Sequence, residues 1–295
     1  MFDFRYHALS LAAVLFALAL GVLIGVAIGD SNLVSSAKNG IVHNLEGEVG
    51  EAHSQVETLQ SRLTSQEAFS KSLYPLAVHE LLNGRNVGLL FLGGGSDQVN
   101  SLVRGAVAQA EGSLATVVAV REPLNLTGIS QEAAGTHYAS LASSPELIER
   151  FGELVGRQLV SGGQLVDKEL LSRVRGSLLS AFDGQLTHLE GLIVERSQPT
   201  GLSAQDAEAD SRFENGVLAG AAAAGVPVVG VELTGTEPSQ IPWYKSRRIS
   251  SVDDLDTPAG QAALLYALAG NHGAFGVKAT ADSLLPTVTS GSGAP

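Results

Sequence analysis

Three groups of residues have types and spacings that could carry chemistry. Gly93-Gly94-Gly95-Ser96-Asp97 follows an apolar run and precedes a helical one, the place where an open α/β sheet cradles phosphate with backbone N–H groups. The run matches neither G-x-G-x-x-G nor G-x-x-x-x-G-K-[ST], and Asp97 would repel a phosphate. A tight strand-to-helix turn with Ser96 or Asp97 as N-cap accounts for the same residues. Asp253, Asp254 and Asp256 form the densest carboxylate group, and oxygen ligands suit Mg²⁺ or Ca²⁺. The EF-hand spacing is missing, and Asp256-Thr257-Pro258 reads as a helix start, with a capping side chain, proline in the first turn and acids favoured by the helix dipole. The seven histidines are His7, His43, His53, His79, His137, His188 and His272. No two stand two to four residues apart, so no local ligand pair exists. There is no G-x-S-x-G elbow. These patterns point to no enzyme, no cofactor and no metal centre.

Composition narrows the classes further. A net charge of −12 argues against nucleic acid as a partner, since phosphates need a basic face, and against docking on anionic lipid. There is no cysteine, which removes disulfides, thiolate nucleophiles, Fe–S clusters and Cys-ligated zinc. At 295 residues the chain has room for an anchor, a stalk and one α/β domain of about 200 residues.

The elements that would position any site fall in that order. Residues 1–30 read as a short cytoplasmic head and membrane anchor, because the stretch 8–29 is charge-free and rich in Leu, Ala, Val and Ile, and about 20 such residues span a hydrocarbon core. Ala27-Ile28-Gly29 has the small residues that signal peptidase accepts, so a cleaved, exported form is the alternative; the stretch is longer than an ordinary signal h-region. Arg5 gives the head a slight positive excess, which favours a cytoplasmic N-terminus and an extracytoplasmic main domain at the cell membrane. Gly21 and Gly25 form a small-xxx-small pair that would let two anchors approach.

Residues 31–74 read as a coiled-coil stalk. Val42, Leu45, Val49, Ala52, Val56, Leu59 and Leu63 are spaced alternately three and four apart, the a/d seam of a coiled coil. These seven are the expected partner-binding residues, for a homodimer or for an envelope protein. Gly40, Gly47 and Gly50 each weaken the helix by about 1 kcal/mol relative to Ala. The pattern meets Gln66 and Ser70, recovers at Leu73 and stops at Pro75. The alternative is an amphipathic helix lying on its own domain.

Residues 75–286 read as a mostly parallel, layered α/β (Rossmann-like) domain. Strands are expected at Val87–Leu92, Leu114–Val120, Gly191–Glu195 and Val226–Leu233. Helices are expected at Asp97–Glu111, Pro145–Leu159, Lys168–Ser180, Asp206–Ala224 and Pro258–Ala269. Residues 287–295 read as a disordered tail.

Two segments resemble a known family. Asp3-Phe4-Arg5-Tyr6-His7-Ala8-Leu9-Ser10-Leu11-Ala12-Ala13-Val14 with Leu18-Ala19-Leu20-Gly21, and Ser251-Val252-Asp253-Asp254-Leu255-Asp256-Thr257-Pro258-Ala259-Gly260-Gln261 continuing to Gly276 and Leu284-Leu285-Pro286, are similar to the actinobacterial MctB family. The resemblance implies an envelope protein with a role in copper homeostasis or efflux, outer-membrane association included. A related septation protein, SteB, implies the alternative of an adaptor in septation and cell-wall regulation. Copper(I) prefers thiolate and thioether ligands, whereas this chain has no Cys and a single Met, Met1. One anchor helix offers no closed path through a bilayer. Association through the coil, rather than a pore formed by the chain itself, is therefore the expected mode of action.

Overall fold

In the computed structural model, residues 4–29, 31–163, 168–197 and 199–287 are described. The chain divides into two units, Met1–Glu67 and Ala68–Pro295. The first contains α1 (Phe4–Ile28) and most of α2 (Ser31–Val78). Within α1, Arg5–Ala27 is long and apolar enough to cross a membrane, and none of it is buried.

The second unit is a three-layer α/β sandwich. Its strands are β1 (Asn86–Gly93), β2 (Ser113–Val120), β3 (Leu179–Gly184), β4 (Gly191–Ser197), β5 (Val228–Val231), β6 (Ser250–Val252) and β7 (Ala274–Phe275). They form one sheet in the order β3-β2-β1-β4-β5-β6-β7. Every pairing is parallel except β2 with β3. The expected mostly parallel α/β fold is therefore present.

Side-chain alternation sorts each strand between two cores. Leu90, Leu92, Val118, Val120, Leu192 and Val194 face one, which is completed by α5 (Pro145–Ser161), α6 (Lys168–Leu178), α7 (Ala204–Ala223) and the short α8 (Ile241–Ser246). Val87, Leu89, Phe91, Val117, Ile193 and Val229 face the other, under α3 (Asp97–Gln109) and α9 (Pro258–Leu268). Burial on both faces is why the central strands read as unbroken apolar runs. The short α4 (Leu126–Glu132) and a 3-10 turn (His137–Ser143) link β2 to α5.

Several boundaries differ from the sequence expectation. The stalk helix continues through Pro75 to Val78, because Val78 and the following Leu82 are fully buried in the α3/α9 core and their burial outweighs one missing helical hydrogen bond. The helix expected over Lys168–Ser180 stops at Leu178, and the chain turns at once into the edge strand β3, antiparallel to β2. β5 is confined to Val228–Val231. Asp30 and the tail beyond Thr287 lie outside the described residues.

Candidate functional site

The glycine loop after β1 is a turn and a cap. Ser96 accepts a hydrogen bond from the Val99 N–H at 3.2 Å and starts α3, which is the N-cap role its type favours. Gly93 (φ +100°) is required: a Cβ there would sit 2.1 Å from the Ser197 carbonyl oxygen and 3.2 Å from Glu122 Oε2.

The aspartate group is likewise built into the fold. Asp253 is fully buried, and its two oxygens accept from the Val277 and Lys278 N–H groups at 2.8 and 3.1 Å. Asp254 accepts from the Thr257 hydroxyl, and Asp256 accepts from both the N–H and the hydroxyl of Thr234. Thr257 caps α9 through the Gly260 N–H, with Pro258 in the first turn. Replacing Asp253 by Asn turns one acceptor into a donor facing a backbone N–H. It should cost about 2 kcal/mol, read by urea unfolding followed through the only tryptophan, Trp243.

Among the described residues, the triad of His, Asp or Glu donors within 4.8 Å of one another is His79, Glu80 and Glu111, all exposed. His79 Nε2 lies 3.4 Å from Glu111 Oε1 and Nδ1 lies 3.9 Å from Glu80 Oε1. Imidazole and carboxylates suit Zn²⁺ or Cu²⁺ better than Cu⁺. No local spacing announces this triad, since Glu111 arrives from the far end of α3.

A second grouping, missed in the sequence, lies at the carboxyl end of the strands, where α/β folds place their ligands. β1 is the point from which the strand order runs outward in both directions. Arg196, 9% exposed, follows the apolar part of β4. Its Nε donates to Glu214 Oε1 at 2.6 Å and its Nη1 donates to Gln240 Oε1 at 2.7 Å. Arg196 and Arg247 both lie over the Trp243 ring, at 4.6 and 3.8 Å from its centroid. Asp210, one turn before Glu214 on α7, accepts from the Leu124 N–H at 2.9 Å. Glu122 follows β2, and among the described residues both its carboxylate oxygens are buried and unpartnered; Glu214 Oε2 and Asp210 Oδ2 are orphaned in the same way. Burial, reinforced by Glu214 and Asp210 against the opposing pull of Arg196, pushes Glu122 up to about 8. Burial pushes Glu195 up to about 7. The cluster therefore holds a proton on Glu122 near neutral pH. The signal for it was a charged pair directly after an apolar run, in Val120-Arg121-Glu122 after β2 and in Val194-Glu195-Arg196 within β4.

On the stalk, Val42, Leu45, Val49, Val56, Leu59 and Leu63 are 43% to 63% exposed, and Ala52 is exposed as well. They lie along α2 at the three/four spacing that places residues on one helix face. A shallow groove follows this face past Val42, Leu45, Val49 and Gly50. On α1, a Cβ added at Gly21 or Gly25 would meet nothing within 4 Å.

Comparison with known proteins gives a concordant picture. Residues 1–286 match the family described as copper transport outer membrane protein, MctB. The chain is also similar to the copper transporter MctB of Mycobacterium tuberculosis and of Mycobacterium bovis. Each is 23% identical over 290 residues, covering 91% of this chain and 92% of the relative.

Proposed function

Because this chain belongs to the MctB family of copper transport outer membrane proteins, we propose that it serves copper homeostasis in the cell envelope as a non-enzymatic protein, acting through pairing of its stalk with a second copy. The observation that carries this reading is the row Val42, Leu45, Val49, Ala52, Val56, Leu59 and Leu63, apolar yet exposed on α2. Packing such a row against a partner seam removes apolar surface from water at about 25 cal/mol per Å². A second copy supplies a matching seam and a matching Gly21/Gly25 face, so both segments pair in one parallel arrangement. The slight positive excess of the head supports a cytoplasmic N-terminus and an extracytoplasmic α/β unit. Copper chemistry supports association over conduction. The chain has no Cys and one Met, and its sheet is open, with edges at β3 and β7, rather than a closed barrel.

The cysteine-free sequence makes the test direct. Ala52→Cys, at a seam position, should form an intermolecular disulfide in the membrane under mild oxidation. Val56→Asp with Leu59→Asp in that background should abolish it. The same double variant should fail to restore copper tolerance to a deletion strain that the natural chain rescues. An unformed or unaffected disulfide overturns the homodimeric seam, and a deletion strain with ordinary copper tolerance and content overturns the copper role. Capture of the full-length chain with a septal protein, together with normal copper handling, would favour the septation adaptor instead.

A further inference from the structure

Between α5, α6 and the edge strand β3, one face of the sheet is left incompletely filled. Leu90, Val118, Val120, Leu171, Leu178 and Phe182 line a cavity of about 210 Å³. The lining is apolar apart from the exposed Ser172 and Arg175 and one buried polar side chain. Gln158 of α5 borders the same space at 2% exposure, and among the described residues neither its Oε1 nor its Nε2 has a hydrogen-bond partner. Its backbone carbonyl is occupied, accepting from the Gly162 and Gly163 N–H groups, but the side-chain amide is free. A primary amide buried among hydrocarbon without partners is costly, and Leu or Met would fill the position without that cost. At the rim, the exposed Arg175 guanidinium lies 4.0 Å from the centroid of the Phe182 ring, so the entrance carries a positive charge.

We propose that this cavity is a binding site for a short acyl amide or carboxylic acid. The apolar tail would fill the space against Leu90, Val118 and Phe182, and the head group would pair with the Gln158 amide. That amide offers an acceptor and two donors; a primary amide or a protonated acid pairs with both kinds of group, and a carboxylate accepts from the Nε2 donors. An apolar cavity of about 150 Å³ accepts a benzene ring, so this one accommodates a ligand of about eight heavy atoms. Arg175 at the entrance disfavours a cationic head group. The site is separate from the association seam and does not depend on the copper role.

Hexanamide, hexanoate and hexylamine are suitable probes, titrated calorimetrically into the full-length chain in lipid nanodiscs, with empty nanodiscs as reference. Saturable one-to-one binding is expected for hexanamide or hexanoate, and none for hexylamine. Whichever of the two binds identifies the head group as amide or acid. Gln158→Leu, which removes the orphan amide while keeping the bulk, should weaken that binding at least about tenfold without lowering the unfolding midpoint of the free protein. Should that variant not fold, Leu171→Phe, which fills the cavity from α6, should abolish binding. Failure of both acyl probes to bind, equal binding of hexylamine, or binding unchanged in the folded variants overturns the proposal.

Discussion

Gly156→Ala is expected to lower the stability of the α/β unit by about 3 kcal/mol, although helix propensity alone predicts a gain of about 1 kcal/mol for the same change. The sign is set by the contact between α5 and α7. Gly152 and Gly156 on α5 face Gly216 and Gly220 on α7, and the two backbones touch. A Cβ on Gly156 would lie 2.0 Å from the Val217 carbonyl oxygen, and one on Gly152 would lie 2.3 Å from that of Phe213. In the other direction, Cβ atoms on Gly216 and Gly220 would meet the carbonyl oxygens of Glu149 and Glu153 at 2.0 and 2.1 Å. Each neighbour is helix backbone, which cannot rotate away as a side-chain tip can. The helices must therefore separate, opening the packing of Phe151 against Phe213, whose rings are 6.0 Å apart. Gly176→Ala on α6, where a Cβ meets nothing within 4 Å, is the control and should stabilise by up to about 1 kcal/mol. Denaturant unfolding followed by Trp243 fluorescence reads both, because the only tryptophan lies in this unit. Equal effects of the two substitutions would show that the helices tolerate a wider spacing.

How much of this was legible in the sequence depends on how locally each feature is determined. β1, β2 and β4 are unbroken apolar runs bounded by turn residues, and the structure places strands over them. The Thr257 cap and the Ser96 cap lie within three residues of the groups they serve, so residue type narrowed them to Asp256-Thr257 and to Ser96 or Asp97, and the structure selects Thr257 and Ser96. β6 and β7 are three and two residues long, too short to show a period; neighbouring strands define them. β3 has no simple alternation because it is a half-exposed edge whose Phe182 turns toward the cavity beside Gln158. The glycines of Phe151-Gly152-Glu153-Leu154-Val155-Gly156 and Gly216-Val217-Leu218-Ala219-Gly220 do repeat every fourth residue. Such spacing declares a close helix contact only once the partner helix is known. The cluster around Arg196 is the least local feature. Leu124 and Asp210 meet across 86 positions of sequence, so only the folded sheet brings their segments together.

The same cluster sets the expected pH dependence of stability. Glu122 has an ordinary value of 4.5 when unfolded and is pushed up to about 8 in the fold, first by burial and then by Glu214 and Asp210. Below pH 4.5 both states hold the proton, and the full stability is present. Between pH 4.5 and about 8 the unfolded chain releases a proton that the folded chain retains, so stability falls as pH rises. Above about pH 8 the loss is complete. Glu195, pushed up to about 7 by burial, acts with the same sign, and burial also raises Asp210 and Glu214. Asp256, held low by its hydrogen bonds from Thr234 despite some burial, acts oppositely, and only in the acid range. The α/β unit should therefore be more stable near pH 5 than at pH 8. Glu122→Gln carries the neutral form at every pH. It should come within about 1 kcal/mol of the natural chain at pH 5, exceed it by about 4 kcal/mol at pH 8, and retain a shallower slope from Glu195. Unfolding midpoints in urea across this range, read through Trp243, measure all three quantities. An unchanged slope in Glu122→Gln would mean that Glu122 is already ionised and paired in the fold, and the proton assigned to this cluster would have to be abandoned.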